Sequence, residues 1–146
     1  MILTETTARS QTESISFEFD LPHRPEKVWR AITDPVLLSQ WLLPVLDLEL
    51  EPGAAFTFKA QPQPGFDGIV NCRLLEIDVH RKLSWAWVVG DIDTVVTFTL
   101  APTASGTRLS LVQSGFKPNQ KKNFSGARYG WRIMTGKLVD LLEKNE

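Results

Sequence analysis

The sequence predicts an α+β domain, an antiparallel sheet with helices on one face, and three features of its apolar pattern carry that prediction. Near the start, SISFEFDL at residues 14–21 alternates Ile15, Phe17, Phe19 and Leu21 with Ser16, Glu18 and Asp20, the period-two mark of a strand buried on one side. Between residues 47 and 116, runs rich in aromatic and β-branched residues are separated by short turn sequences. Beyond Lys117-Pro118 the period changes. Phe124, Ala127, Trp131, Met134, Leu138 and Leu141 recur at steps of three and four, as on one face of a helix. A sheet and a long helix that each carry one apolar face bury both by packing together.

Each element has a local cause. Pro25 and Asp34-Pro35 suit helix starts, because proline fits the first turn and Asp34 can accept from the exposed amides. They predict two short helices, PEKVWRAIT and PVLLSQWL. DLELE, AAFTFKA, GIVNCRLLEI, KLSWAWVV, DTVVTFTLA and TRLSLVQSG then read as six successive strands. Pro52-Gly53, Pro64-Gly65, Gly90-Asp91 and Ser105-Gly106 are turn chemistry, and connections this short favour antiparallel hairpins. The closing helix of about five to six turns ends near EKNE. The stretch AQPQPGFDG, residues 60–68, reads as a mobile loop. Residues 1–13 are expected to be a flexible tail ahead of a single domain spanning 14–146.

A chain of 146 residues fits one domain that buries about two-thirds of its unfolded surface without disulfides or metals. A net charge of -1, with Lys and Arg spread along the chain, lacks the basic face of a nucleic-acid module. The opening MILTETTARSQTE has too short an apolar run for a signal peptide or membrane insertion. The single cysteine, Cys72, has no disulfide partner, which fits a reducing, cytoplasmic setting.

Signals for catalysis are weak. There is no Gly-x-Ser-x-Gly elbow, phosphate-cradling loop or dinucleotide fingerprint, and the two histidines lack metal-ligand spacing. His23, just before a helix, and His80, in the charged HRK turn, read as solvated. Cys72 reads as an inert packing residue within a strand, and Glu76 as structural. No catalytic residue, metal ligand or cofactor is assigned.

The aromatic residues say more. Phe56 and Phe58 share one parity along their strand, as do Trp85 and Trp87, and as does Phe98 with Val96 and Leu100. On a concave face these rings would meet Phe124 and Trp131 of the long helix, either as a plain core or as the lining of an apolar pocket. Trp87 and Trp41 are candidates for its mouth, each with an indole N–H that needs a partner. Gln113 shares parity with Leu109 and Leu111, so its amide faces the same interior and requires a partner in protein, water or ligand. Arg128 is either a surface cation or, facing inward, a partner for an acidic ligand group. The helix also contains Gly126, Gly130 and Gly136, each costing about 1 kcal/mol relative to alanine. Gly126 and Gly130 lie four apart beside Ala127 and Trp131, where missing side chains either let a strand approach or leave space for a cavity.

HRPEKVWRAITDP followed by WLLP, then LLEIDVHRKLSWAW, GTRLSLVQSGF and GARYGW, resemble the domain related to the activator of the heat-shock protein 90 ATPase, a group within the START and polyketide-cyclase superfamily. The resemblance runs from about residue 14 to 142. It implies a helix-grip fold, in which a curved seven-stranded antiparallel sheet wraps around the C-terminal helix, with two short helices after the first strand. It also implies a cavity between sheet and helix for an apolar or amphipathic molecule. The chain departs from the family pattern at Cys72, at Val79-His80 and at Gln113, where many relatives carry glycine, proline and histidine.

The function implied is a small-molecule-binding domain whose ligand contacts come from Trp41, Phe56, Phe58, Trp85, Trp87, Phe98, Gln113, Phe124, Arg128, Gly130 and Trp131. Two alternatives are a chaperone-interaction role like that of the activator itself, whose extra N-terminal domain has no counterpart in this sequence, and a cyclase- or dehydratase-like enzyme using the same cavity. The row Val95, Thr97 and Thr99 is a convex face on which a second copy could dock as a homodimer.

Overall fold

The first long strand and the last are neighbours, so the sheet joins distant parts of the chain before the closing helix covers it. The computed structural model describes residues 3–5 and 14–144. Its elements are β1 (Leu3–Glu5), β2 (Ser14–Leu21), α1 (Pro25–Thr33), α2 (Pro35–Trp41), β3 (Val45–Leu46), β4 (Ala55–Lys59), β5 (Ile69–Asp78), β6 (Lys82–Val89), β7 (Ile92–Thr103), β8 (Gly106–Ser114) and α3 (Lys121–Lys144), the last preceded by a 3-10 turn at Pro118–Gln120. All pairings are antiparallel, in the order β1-β2-β8-β7-β6-β5-β4-β3. Seven strands of this sheet lie within residues 14–144, and with α3 they form the helix-grip fold. β1 adds a short edge beside β2, pairing Leu3 with Phe19; the rest of the expected tail lies outside the described residues.

The helix starts follow the local chemistry. Asp34 Oδ1 accepts from Val36 N at 2.9 Å, capping α2 behind Pro35. α3 is 24 residues long, longer than its apolar period alone suggested. The strand expected at DLELE does not form. Asp47 takes φ 63°, which breaks the extended run, and pairing is confined to Val45 and Leu46 against Phe58 and Thr57.

Parity sorts the sheet as the alternation predicts. Ile15, Phe17, Phe19 and Leu21, Phe56 and Phe58, Leu83 and Trp85, Val96, Phe98 and Leu100, and Leu109 and Leu111 are all buried on the concave side. Val95 and Thr97 are half-buried and Thr99 exposed on the convex side. The register of β5 against β6 shifts between Leu74 and Glu76, a bulge that sends Leu75 outward, 47% exposed, and bends the strand. At Gly106, opening β8, a side chain would run into the Leu21 carbonyl; glycine lets the two backbones meet there.

Beneath α3, Trp131, Thr135, Leu138, Leu141 and Leu142 are buried toward α1, α2 and β2. Lys27 of α1 donates to the Leu142 carbonyl at 2.6 Å, placing a cation at the helix C-terminus, where the peptide dipoles favour it.

Candidate functional site

Between the sheet, α2 and Trp131 of α3 the interior is filled with rings. Phe56, Phe58 and Trp85 pack at centroid distances of 5.5, 5.7 and 5.8 Å, Trp85 meets Phe98 at 5.3 Å, and Phe98 meets Trp41 and Trp131 at 6.2 and 6.3 Å. Trp41 is therefore a core residue. Its indole donates to Ala31 O at 2.8 Å, so it stitches α2 to α1 instead of standing at a mouth. Trp85, 1% exposed, has an indole N–H without a hydrogen-bond partner, surrounded by rings.

Toward the first half of α3 the packing opens. Trp87, half-buried, stacks between Phe58 and Trp131 at 5.5 and 5.9 Å and forms part of the floor of a cleft of about 1300 Å³, which Val70, Val89, Ile92, Gln113 and Ala127 also line. Phe116 closes one side, backed by Phe124 at 5.5 Å. One wall is the connection from β4 to β5, whose Gln63 and Phe66 exchange backbone hydrogen bonds at 2.9 and 2.8 Å. The other is the two-residue turn from β6 to β7, where Gly90 takes φ 56°. Gln120 ties that turn to the start of α3, donating to Asp91 O at 3.0 Å and accepting from Lys117 N at 2.9 Å.

Gln113 sits at the base of this cleft, 2% exposed, in a chain of bonds whose direction is determined. Trp131 Nε1 can only donate, so Gln113 Oε1 accepts from it, at 2.7 Å. Gln113 Nε2 then donates to Thr94 Oγ1 at 2.9 Å, and that hydroxyl donates to Trp87 O at 2.9 Å. No member of the chain ionises near neutral pH. A primary amide carries two donors and two acceptor sites, and this chain of bonds uses one of each.

The remaining expected contacts are placed elsewhere. Phe56, Phe58, Trp85, Phe98 and Trp41 lie in the ring-filled core. Arg128 is exposed on α3. Gly130 is half-buried, and a methyl there would meet only Met134 Cε at 3.7 Å, so the glycine answers to no close strand. Gly126 borders the cleft. Val89, Ile92 and Phe116 were not among the expected contacts; Val89 shares the parity of Trp87, a signal present in the sequence, whereas Ile92 opens β7 and Phe116 lies two residues beyond β8, where alternation is not informative.

Ionisable chemistry is sparse here. The charged lining residues Asp67, Asp91 and Lys122 are exposed. Cys72 is buried on β5, and burial pushes its thiol up to about 12, far from reactive. His23 is not solvated as expected: its Nε2 is buried without a partner, Lys27 Nζ stands 3.2 Å from Nδ1, and burial first, then Lys27, lowers its pKa. His80 is exposed, its ring edge-on to Trp29 at 6.1 Å. Glu76 forms a surface pair with Lys82 at 3.2 Å. No cluster of side chains suited to a metal occurs among the described residues, and no helix among them is long and apolar enough to cross a membrane.

The fold has close counterparts among solved structures. Protein MLL2253 from Mesorhizobium loti superposes with a TM-score of 0.84 at 35% identity, covering 91% of this chain and 98% of its own. CV1439 from Chromobacterium violaceum does so at 0.72 and 28%, covering 90% and 98%. CalU16 from Micromonospora echinospora reaches 0.75 at 21%, covering 97% and 83%, a likeness of fold alone. No curated protein matches the sequence. The model of the Activator of Hsp90 ATPase homolog 1-like protein family matches residues 22–143, nearly the whole domain, and the chain belongs to that family.

Proposed function

We propose that this protein binds an amphipathic small molecule in the cleft between the first half of α3 and the ends of β5, β6 and β8, in a reducing cytoplasmic setting. The observation that carries the reading is the placement of Gln113: a buried amide, oriented by Trp131 and Thr94, at the base of an otherwise apolar floor. Small-molecule sites combine such a floor with a few placed polar groups. The cleft is open and its rim is polar, so the apolar part of a ligand would rest on Trp87 while a donor or acceptor meets the Gln113 amide and a polar end reaches solvent. The rim residues present no acid–base pair converging on one atom, which favours binding over turnover.

Native mass spectrometry of freshly purified protein, beside the same sample denatured, tests this. The expected result is an added mass that is lost on denaturation and absent from Ala127→Leu, whose larger side chain intrudes into the cleft. A bare protein that takes up neither fatty acids nor aromatic probes contradicts the proposal.

A further inference from the structure

Two of the helical glycines remain unexplained by the interior. Gly126 and Gly136 are exposed, and a methyl at either would meet nothing within 4 Å. They belong to a stripe on the outer face of α3: Lys122, Gly126, Tyr129, Ile133, Gly136 and Asp140 follow at steps of four, three, four, three and four, the spacing of a helix seam. Tyr129, Ile133, Gly136 and Asp140 are directed away from the buried face carried by Trp131, Thr135 and Leu138, while Lys122 and Gly126 stand where this outer face meets the rim of the cleft. At the centre of the stripe, Tyr129 is 68% exposed and Ile133 45%.

The stripe is its own complement when reversed. Read from either end toward Trp131, it runs charge, glycine, large apolar residue, and the two end charges have opposite signs. We propose that the outer face of α3 pairs with the same face of a second copy, antiparallel, across a two-fold axis at the level of residue 131, between Tyr129 and Ile133. In that register Lys122 lies opposite the partner's Asp140, Tyr129 opposite the partner's Ile133, and Gly126 opposite the partner's Gly136. The facing glycines let the two backbones approach, and the tyrosine and isoleucine fill the centre. A different protein would have to reproduce this reversed order; a second copy supplies it by symmetry. The stripe from Lys122 to Asp140 is about 27 Å long, which places the contact among small interfaces and makes the dimer concentration-dependent. The pairing does not require the cleft to be occupied.

Light scattering and sedimentation over a range of concentrations, applied to the full chain and two charge reversals, test it. Lys122→Glu faces its own Asp140 across the axis, and Asp140→Lys faces its own Lys122, so each variant repels itself at two symmetric contacts. The mixed pair attracts at both. The expected result is a wild-type mass rising from 16.5 kDa toward twice that value, about tenfold weaker association in each variant alone, and recovery in the equimolar mixture. Unchanged helicity by circular dichroism confirms that both variants fold. A wild-type mass fixed at 16.5 kDa at every concentration overturns the proposal, as does a dimer that both reversals leave intact, because it would use another face.

Discussion

From Trp131 to Leu142, α3 presents Trp131, Thr135, Leu138, Leu141 and Leu142 inward, all buried. From Lys121 to Gly130 the same helix offers Phe124 and Ala127, and a cleft of about 1300 Å³ opens beside it. The sheet opposite is continuous across both halves, so side-chain size on the helix separates core from cleft. Trp131 is the boundary: its ring seals the packed half, and its indole N–H orients Gln113 for the open half.

Substitutions on the two sides of that boundary should therefore behave differently. Trp131→Ala should cost about 3–5 kcal/mol in urea unfolding, since it empties the centre of the aromatic stack and releases Gln113. A loss below about 1 kcal/mol would mean that the two halves are not joined through this ring. Gln113→Leu should cost about 1–3 kcal/mol, because it leaves the Trp131 N–H buried without an acceptor. It should also weaken ligand uptake, whereas Phe56→Leu, in the filled half, should reduce stability and spare uptake in the folded fraction. On the outer face, Gly136→Ala meets nothing within 4 Å and should raise monomer stability by about 1 kcal/mol.

The smallest expected effect is on pH dependence. The folded-state pKa of His23 lies below its ordinary 6.5, so the unfolded chain takes up the proton first as pH falls through 6.5. Stability should drop in the window between 6.5 and the lower folded value and level off beneath it. In His23→Gln that drop should be missing from denaturation midpoints measured across the same window; an identical slope in both proteins would remove His23 as its source.

Strand and helix identities were legible because each long element repeats its period enough times to show which side is buried, as in SISFEFDL and in Trp131, Met134, Leu138 and Leu141. DLELE misled because its alternation is sound while Asp47 turns the backbone out of the extended region. Parity put Phe56, Phe58, Trp85 and Phe98 on the concave side, but facing inward does not distinguish a ring that packs against another ring from one that borders empty space. That difference depends on depth along α3, which is set by how the helix docks on α1, α2 and β2. Gln113 was legible as a buried amide in need of partners; that two of them would be Trp131 and Thr94 follows only from the three-dimensional register of β7, β8 and α3.

The indole region of the proton–nitrogen NMR spectrum offers the most direct test of the boundary at Trp131. The chain has five tryptophans, distributed between the filled half and the cleft, and each gives one indole signal. Titration with anilinonaphthalene sulfonate, an amphipathic probe, should shift Trp87, Trp131 and the Gln113 side-chain amide while Trp41 and Trp29 stay in place. Shifts concentrated at Trp41 or Trp29, or none at Trp87 with the probe bound, would contradict a binding site in the open half of the helix–sheet interface.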